Sequence, residues 1–414
     1  MHYVLTTFGS SGDVFPFLAI GRELRARGHD VTVLAAEPFH GVAERAGLSF
    51  VSGASLEDYE TISKHPDLWH PRRGMRLLLR SISVALRDEY AKISELYKPG
   101  RTVLVGHPLA FVTRTFEEKH RAPAASIHIA PQLFRSEFVA PVFEPEYDLS
   151  KAPRWHKRGL YRDADQFFLD PHITPALNAF RAELGLPPVR RVFHSWLHSP
   201  RLTIGIFPDW FAPPQPDWPP QTRTTGFILY DDAESRDGDS DIEDFIANGD
   251  PPIVFTPGSN NRQAPGFFEA AVKAVDRLGR RALLLTGYPG QLPSDLPDSV
   301  RHASYVPFSR VLPYSAAVVH HGGVGTCAQG LAAGVPQLTM PMGFDQPDNA
   351  MRLRRLGVGT SLTPRNFTTP NLATALEKLL ESSETSAACQ KYSRMVLQSD
   401  ALQTTCTLLE ELGL

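Results

Sequence analysis

The chain has 414 residues, a formal net charge of −3 and a pI near 6.6, which exclude a strongly basic protein that binds nucleic acid through its overall charge. No stretch of about 18 apolar residues occurs, so no membrane-spanning helix is expected. The three cysteines, Cys327, Cys389 and Cys406, are far apart, which favours neither disulfides nor a metal site. A strand pattern begins at Tyr3 without a signal-peptide pattern, so we expect a cytoplasmic protein.

Strand and helix patterns alternate along both halves of the chain, which is long enough for two domains that each bury a core. The predicted strands are residues 3–7, 31–35 and 102–106 in the first half, and 253–256, 282–286, 316–319 and 337–340 in the second. Such alternation predicts two doubly wound parallel α/β sheets. We expect an N-terminal domain over 1–228, an acidic linker over 229–245 and a C-terminal domain over 246–414, whose last helix could return to the N-terminal domain.

A glycine-rich turn follows the first predicted strand and leads into a helix over residues 16–27. Pro16 suits a first helical position, because the N–H that proline lacks has no helical partner there. Asp13 would then lie in the loop at the carboxyl end of the strand, the edge of an α/β sheet where ligands bind. His107 follows the strand 102–106 and reaches the same edge. For both residues a purely structural role stays open, Asp13 as an acceptor for N–H groups of the helix start.

Residues 72–89 have a helical period that separates charged from apolar side chains. One face carries Arg73, Arg76, Arg80 and Arg87, and the other carries Met75, Leu78, Leu79, Ile82 and Leu86. The simpler interpretation is a surface helix with its arginines in water. The alternative is a basic rim that attracts a fatty-acid carboxylate or an anionic membrane, at roughly 1 kcal/mol for each basic residue near the surface.

The most informative stretch begins with the apolar strand 316–319 and continues into His320-His321-Gly322-Gly323. A helix is predicted over 326–333, with Gly334 and Pro336 as its stop. A glycine-rich turn between a parallel strand and a helix directs backbone N–H groups and the positive end of the helix dipole at one place, which attracts phosphate. His321 adds a side-chain donor. The loop that carries Asp345 and Gln346 follows the next strand and reaches the same sheet edge.

The order H-G-G-x-G-T, A-G-V-P, D-Q and N resembles the donor-binding signature of the family 1 nucleotide-sugar glycosyltransferases, which have the GT-B fold. Residues 12–16, G-D-V-F-P, resemble a variant found in bacterial lipid and antibiotic glycosyltransferases and in sterol glucosyltransferases. Residues 8–31 and 193–227 resemble the bacterial rhamnolipid-type rhamnosyltransferases, and the similarity runs over most of the chain. The resemblance implies two Rossmann-like domains that face a cleft. It also implies an inverting hexosyltransferase that needs no metal and no other cofactor.

The resemblance implies a role for residues on both sides of the donor. The diphosphate would be held by Ser259, His321, Gly323, Val324, Gly325 and Thr326; the nucleoside by Tyr305, Val306 and Gln329; and the sugar by Asp345 and Gln346. Asp13 would be the base that accepts the proton of the acceptor hydroxyl, with His107 as an alternative. The aromatic residues Trp196 and Phe211 could line an apolar acceptor slot or belong to the core.

The group that this chain resembles transfers L-rhamnose from dTDP-L-rhamnose to a hydroxyl of a 3-(3-hydroxyalkanoyloxy)alkanoic acid. Gln329 stands where plant members have a glutamate that grips both ribose hydroxyls, so a deoxyribose donor becomes plausible. A glucosyltransferase that uses UDP-glucose with a lipid, sterol or polyketide stays open. A third interpretation, a non-catalytic GT-B partner protein, predicts the loss of Asp13 or His321, and both are present.

Overall fold

Two parallel β-sheets with helices packed on them organise the chain in the computed structural model. The structure describes residues 1–70, 72–144, 149–232, 240–264 and 266–413. These residues form a first unit of 1–142, 149–230 and 400–413 and a second unit of 143–144, 231–232 and 240–399. The predicted class, α/β with two doubly wound parallel sheets, is confirmed.

The first unit contains a seven-stranded sheet. Its strands are β1 (His2–Thr6), β2 (Asp30–Ala36), β3 (Ser49–Ala54), β4 (Thr102–Gly106), β5 (Ala124–His128), β6 (Leu202–Gly205) and β7 (Thr222–Thr224). The helices in this part of the chain are α1 (Ser11–Ala26), α2 (His40–Arg45), α3 (Leu56–Ser63), α4 (Arg73–Leu96), α5 (Phe111–His120), α6 (Arg154–Ala164) and α7 (Asp170–Glu183). The strand order is β3-β2-β1-β4-β5-β6-β7, with every pair parallel.

Successive residues of β1 supply two different cores, because side chains alternate across a sheet. Tyr3 and Leu5 pack with α1 on one face, whereas Val4 packs with Phe116 of α5 on the other. The chain runs outward from β1 to β3 and then returns to β4 on the other side of β1. This reversal of direction opens a crevice at the carboxyl ends of β1 and β4, where doubly wound folds bind ligands.

The second unit repeats this plan with six strands. They are β8 (Ile253–Thr256), β9 (Ala282–Leu285), β10 (Val300–Ala303), β11 (Ala317–His320), β12 (Gln337–Thr339) and β13 (Gly359–Ser361). Its helices are α8 (Ser240–Ala247), α9 (Phe267–Arg277), α10 (Phe308–Val311), α11 (Val324–Ala333), α12 (Gln346–Leu356), α13 (Thr369–Glu381) and α14 (Ser383–Leu397). The parallel order is β10-β9-β8-β11-β12-β13, so the chain reverses between β8 and β11.

Helix α1 begins at Ser11, so the predicted start at Pro16 is wrong. The carboxylate of Asp13 accepts a hydrogen bond from Ser10 N at 2.7 Å, which stabilises an earlier helix start. Pro16 is tolerated inside the helix, where it costs the chain one backbone hydrogen bond. Asp13 therefore lies in the first turn of α1 and not in the preceding loop.

Helix α8 begins at Ser240, inside the predicted linker segment 229–245. Ile242 and Phe245, three residues apart on one face of this helix, are buried, and the Arg281 guanidinium stacks 3.9 Å from the centre of the Phe245 ring. Apolar burial therefore outweighs the acidic character of the segment. Most of the acidic run, residues 233–239, lies outside the described residues.

The last helix, α15 (Ala401–Leu412), belongs to the first unit, although the chain enters it from the second. Cys406 and Leu409 are fully buried in the core that contains Tyr3, and the Tyr3 hydroxyl donates to Leu409 O at 3.4 Å. Glu410 accepts from Arg27 and His29, each at 2.8 Å. The first unit is thus assembled from both ends of the chain.

Helix α4 has the two faces that its sequence period predicts. Leu79, Ile82 and Leu86 are buried, and the four arginines are exposed. Two of these charges are partnered, since Arg73 pairs with Asp67 at 3.2 Å and Arg87 pairs with Glu183. Among the described residues, no helix has the length and apolar character of a membrane span.

Peripheral membrane contact stays a prediction. If it occurs, the protein should bind anionic vesicles in a salt-sensitive way, and Arg76→Gln and Arg80→Gln should weaken that binding.

Candidate active site

The carboxyl end of β11 forms a tight turn into α11. Gly322 has a φ of +94°, in the left-handed region that favours glycine, and Gly323 is the N-cap of the helix. Helix α11 begins at Val324, two residues before its predicted start. The first backbone N–H groups of a helix have no intrahelical acceptor and carry the positive end of its dipole. This turn therefore has the geometry of an anion site.

The His321 ring lies between two glycine loops. A Cβ built on Gly258, in the loop after β8, would come 2.8 Å from His321 Cε1, and one built on Gly323 would come 2.4 Å from Nε2. Both glycines leave room for the ring, so the loops after β8 and β11 meet at His321 as the chain reversal predicts. Burial lowers the pKa of His321 to about 4. At neutral pH the ring is therefore an uncharged hydrogen-bond donor.

The loop after β8 carries Ser259, whose side chain is exposed. The Tyr288 hydroxyl donates to Ser259 O at 3.2 Å, which ties this loop to the one after β9. The Arg262 guanidinium stacks on the Tyr288 ring, 4.4 Å from its centre. Sequence reasoning missed both Arg262 and Tyr288, although a cation close to the Gly258-Ser259 pair was a usable signal for an anionic ligand.

Asp345 lies against the start of α11. Its Oδ2 accepts from Val324 N at 3.3 Å and from Asn349 Nδ2 at 2.7 Å. Burial raises its pKa to about 6, although the hydrogen bonds from Asn349 and from backbone N–H groups oppose the rise. The carboxylate thus already occupies part of the anion site. Contact between Asp345 and a sugar hydroxyl stays a prediction.

The side chain of Gln346 forms hydrogen bonds with the backbone of its own loop. It is 2% exposed, and its Oε1 accepts from Met342 N at 2.8 Å and from Gly343 N at 3.3 Å. These bonds shape the loop between β12 and α12. The amide oxygen is therefore committed to the backbone, and direct contact between Gln346 and a sugar stays a prediction.

The three residues predicted to bind the nucleoside differ in what they expose. The Tyr305 hydroxyl accepts from Asp232 N at 3.0 Å. The Val306 side chain packs in the core with Leu312 and is 9% exposed, and contact of Val306 with a nucleoside stays a prediction. Gln329 is half-buried in the second turn of α11.

Asp13 stabilises the start of α1. Its Oδ2 accepts from Ser10 N at 2.7 Å and from Ser10 Oγ at 3.1 Å, and its side chain is 25% exposed. A Cβ on Gly9, which has a φ of +124°, would come 2.3 Å from the same oxygen. The geometry therefore shows the helix-supporting role, and the catalytic base role stays a prediction.

His107 lies next to Asp13 but is buried. Leu109 N donates to its Nδ1 at 3.2 Å, which assigns the ring proton to Nε2. This Nε2 is 3.9 Å from Asp13 Oδ1, too far for a hydrogen bond. Burial lowers the pKa of His107 to about 3, so the ring is neutral and the pair is not a salt bridge. A protonated Nε2 accepts no proton, which makes Asp13 the better base of the two.

The two aromatic residues expected near an acceptor are packed inside the first unit. Trp196 is 9% exposed, and its Nε1 donates to Glu118 at 2.8 Å. Phe211 is 3% exposed and packs on Phe227, with 5.0 Å between ring centres. Both rings therefore belong to the core, because large aromatic rings gain most from burial, and their contact with an acceptor stays a prediction.

Comparison with known proteins supports one assignment for both halves of the chain. The model of the glycosyltransferase family 28 N-terminal domain matches residues 3–134, and the model of the erythromycin biosynthesis protein CIII-like C-terminal domain matches residues 283–410. The O-mycaminosyltylonolide 6-deoxyallosyltransferase of Streptomyces fradiae is 32% identical over 427 residues, with 99% of this chain and 97% of the relative covered.

Solved structures agree on the fold. The glycosyltransferase of kitacinnamycin superposes with a TM-score of 0.77 at 21% identity, over 99% of this chain and 98% of that one. Spinosyn rhamnosyltransferase complexed with thymidine diphosphate superposes with a TM-score of 0.69 at 20% identity, over 99% of this chain and 100% of that one.

The two parallel α/β units have the fold of GT-B glycosyltransferases, as the sequence predicts. The chain belongs to the macrolide and antibiotic glycosyltransferase family, whose members are nucleotide-sugar-dependent hexosyltransferases. The prediction that it is an enzyme of this kind is confirmed. A particular closeness to the rhamnolipid-type enzymes stays a prediction.

His321→Ala tests the anion site. We expect turnover to fall by about two orders of magnitude or more, the effect of losing one preorganised donor to a developing negative charge. Steady-state kinetics with a nucleotide-sugar donor measure it. His302→Ala, which changes a histidine of the same unit bonded to Thr286 O, is the matched control. A near wild-type rate for His321→Ala in folded protein contradicts the assignment.

Asp345 predicts a pH dependence of donor binding. Its raised pKa means that the carboxyl group is largely neutral below about pH 6 and ionised above it. An ionised carboxylate on Val324 N repels a diphosphate at the same helix end, so affinity should fall as pH rises through this range. Calorimetry with an intact nucleotide sugar, whose phosphates stay ionised throughout, measures it between about pH 5 and pH 8.

Asp345→Asn is the control for this profile, because it keeps the side-chain shape without the titrating charge. We expect the change in affinity with pH to flatten in the variant, whatever its absolute affinity. His321, with a pKa of about 4, stays neutral in this window. An equally steep profile in the variant would assign the titration to another group.

Proposed function

We propose that the chain transfers a 6-deoxyhexose, with L-rhamnose as the first candidate, from a dTDP-linked donor to a hydroxyl of a lipid-like acceptor such as a 3-(3-hydroxyalkanoyloxy)alkanoic acid. The observation that carries the donor half is the neutral His321 beside the first N–H groups of α11. Two relatives support the sugar and the base: one is named a 6-deoxyallosyltransferase, and another is a rhamnosyltransferase complexed with thymidine diphosphate.

The chemistry in this proposal is a single displacement with inversion. The acceptor oxygen bonds to the anomeric carbon as the bond from that carbon to the diphosphate oxygen breaks, and the hydroxyl proton passes to the Asp13 carboxylate. Negative charge grows on the leaving diphosphate, where His321 and the N–H groups of α11 stabilise it. Asp13 is partly exposed and accepts from Ser10 N and Ser10 Oγ through Oδ2, and this proposal assigns the transferred proton to Oδ1.

Transfer without a metal is part of the proposal. Within the described ranges, no cluster of three or more His, Cys, Asp or Glu side chains could hold a metal ion. Helix dipoles and neutral donors would instead meet the leaving-group charge. Activity that persists in excess chelator is the expected result, and loss that Mg²⁺ restores would contradict it.

A macrolide-type polyketide is the second candidate acceptor. It is favoured by the relative with 32% identity, whose name specifies a tylonolide as its acceptor. Both candidates present a hydroxyl on a largely apolar molecule, so the same donor site serves either one. The acceptor is therefore the part of the proposal that depends most on direct assay.

A panel of donors and acceptors tests substrate choice. We expect dTDP-L-rhamnose to give a kcat/KM at least about tenfold above UDP-glucose, the difference of one well-formed hydrogen bond. Each donor is paired with a hydroxyalkanoyloxyalkanoic acid and with a macrolide aglycone, and products are identified by mass spectrometry. A preference for UDP-glucose would replace the donor, and glycosylation of the macrolide alone would replace the acceptor.

Gln329→Glu tests whether residue 329 helps to select between deoxyribose and ribose donors. A carboxylate at this position can accept from both hydroxyls of a ribose, and deoxyribose lacks one of them. The variant should therefore shift the kcat/KM ratio towards UDP donors by about tenfold. Gln390→Glu, which makes the same change at an exposed position of α14, is the control. An unchanged ratio in Gln329→Glu would remove Gln329 from the nucleoside site.

Asp13→Asn tests the base. The amide oxygen can still accept from Ser10 N, so the start of α1 is retained while the negative charge is lost. We expect kcat to fall by about two orders of magnitude or more with little change in donor affinity. His107→Ala should have a smaller effect because its protonated Nε2 cannot accept a proton. Retained activity in Asp13→Asn with loss in His107→Ala would transfer the base role to His107.

A further inference from the structure

Both backbone polar atoms of Gly322 are held by buried side chains. Gly322 N donates to His320 Nδ1 at 3.1 Å, and Gly322 O accepts from Asn349 Nδ2 at 3.0 Å. His320 and Asn349 are both 0% exposed. Gly322 N belongs to the peptide group that joins His321 to Gly322, and Gly322 O belongs to the one that joins Gly322 to Gly323. A shift in these two peptide groups therefore moves the His321 ring and the start of α11.

A second layer fixes the orientation of His320. Because its Nδ1 accepts from Gly322 N, the ring proton is on Nε2, which donates to Gln337 Oε1 at 3.0 Å. Gln337 Nε2 in turn donates to Cys327 O in α11 at 3.2 Å. Burial and, to a smaller extent, neighbouring His321 lower the pKa of His320 to about 3, so the ring stays neutral in one tautomer.

The fold keeps space for this arrangement. A Cβ on Gly330 of α11 would come 2.7 Å from the Gln337 amide carbon, so a larger residue there would displace the amide. Asn349 extends the same network, because its Nδ2 also donates to Asp345 Oδ2 at 2.7 Å. The hydrogen bonds therefore run from β12 through His320 to Gly322, and from Gly322 through Asn349 to the carboxylate on Val324.

We propose that His320, Gln337 and Asn349 are positioning residues that set the affinity of the donor site for the diphosphate group by fixing the two peptide groups that flank Gly322. This inference rests on the proposed donor site. The three side chains are fully buried, so they act through Gly322, His321 and the first N–H groups of α11. Apolar residues of similar size would fill the same space but would not hold the two peptide groups in place.

The proposal predicts a loss specific to the phosphates. Calorimetry compares affinity for thymidine diphosphate with affinity for thymidine, or uridine diphosphate with uridine if the wild type prefers that base. His320→Leu and Asn349→Leu should each weaken diphosphate binding about tenfold or more and leave nucleoside binding unchanged. His320→Asn, whose amide oxygen can replace Nδ1 as the acceptor for Gly322 N, should recover most of the loss.

His320→Gln and Thr339→Val separate positioning from general stability. The glutamine amide can reach Gln337 but does not replace Nδ1, so this variant should resemble His320→Leu. Thr339 is a buried residue of β12 that lies beside His320 in the sheet, and its hydroxyl donates to Thr360 O in β13 at 3.3 Å. Thr339→Val should keep the wild-type ratio of diphosphate to nucleoside affinity, even if its melting temperature falls.

These measurements distinguish failure of the positioning proposal from failure of the proposed donor-binding function. A wild-type protein that binds neither nucleoside diphosphate would overturn the donor site and the inference with it. A wild type that binds one of them, with an unchanged affinity ratio in folded His320→Leu, His320→Gln and Asn349→Leu, would overturn the inference alone. Gly330→Ala, which displaces Gln337 without touching His320, should lower the ratio in the same direction if Gln337 acts as proposed.

Discussion

The first turn of α11 has backbone N–H groups that helix geometry leaves without intrahelical acceptors, and much of the second unit is arranged around them. Gly323 brings the backbone to this point without a side chain in the way. Asp345 accepts from Val324 N, and the His321 ring lies alongside between Gly258 and Gly323. Each contact comes from a different strand-end loop, so the site exists only when β8, β11 and β12 lie side by side.

The side chains at this proposed anion site carry little positive charge. His320 and His321 are both neutral at physiological pH, because burial disfavours their charged forms. Asp345 contributes negative charge, although burial raises its pKa to about 6. The favourable field therefore comes from oriented backbone dipoles, with Arg262 on the neighbouring loop as a full positive charge. Oriented dipoles can stabilise a leaving group without a tight ion pair that would slow its release.

The first unit also has a chain reversal in its parallel sheet, and different side chains lie at it. Its chain reverses between β1 and β4, and this crevice holds Asp13 and His107. Asp13 stabilises the helix start through one oxygen and keeps part of its side chain exposed, so a structural and a chemical role are compatible in one carboxylate. His107 is locked by Leu109 N in a tautomer that cannot accept a proton. The two side chains are neighbours with unequal chemistry, and the backbone around each one sets the difference.

The sequence by itself determined the α/β class, the parallel sheets and the glycine turn before α11, because these depend on local periodicity and on residues with restricted backbone preferences. It also placed His107 and His321 directly after strands, where a residue stays at the sheet edge, whereas Asp13 lies in the first turn of α1 and not in the predicted loop. Tertiary structure decided the rest. The burial of Trp196 and Phe211 and the return of α15 to the first unit depend on contacts between distant segments, such as Leu409 against Tyr3. No local pattern encodes those contacts, because packing partners, not neighbours in the chain, set their free energy.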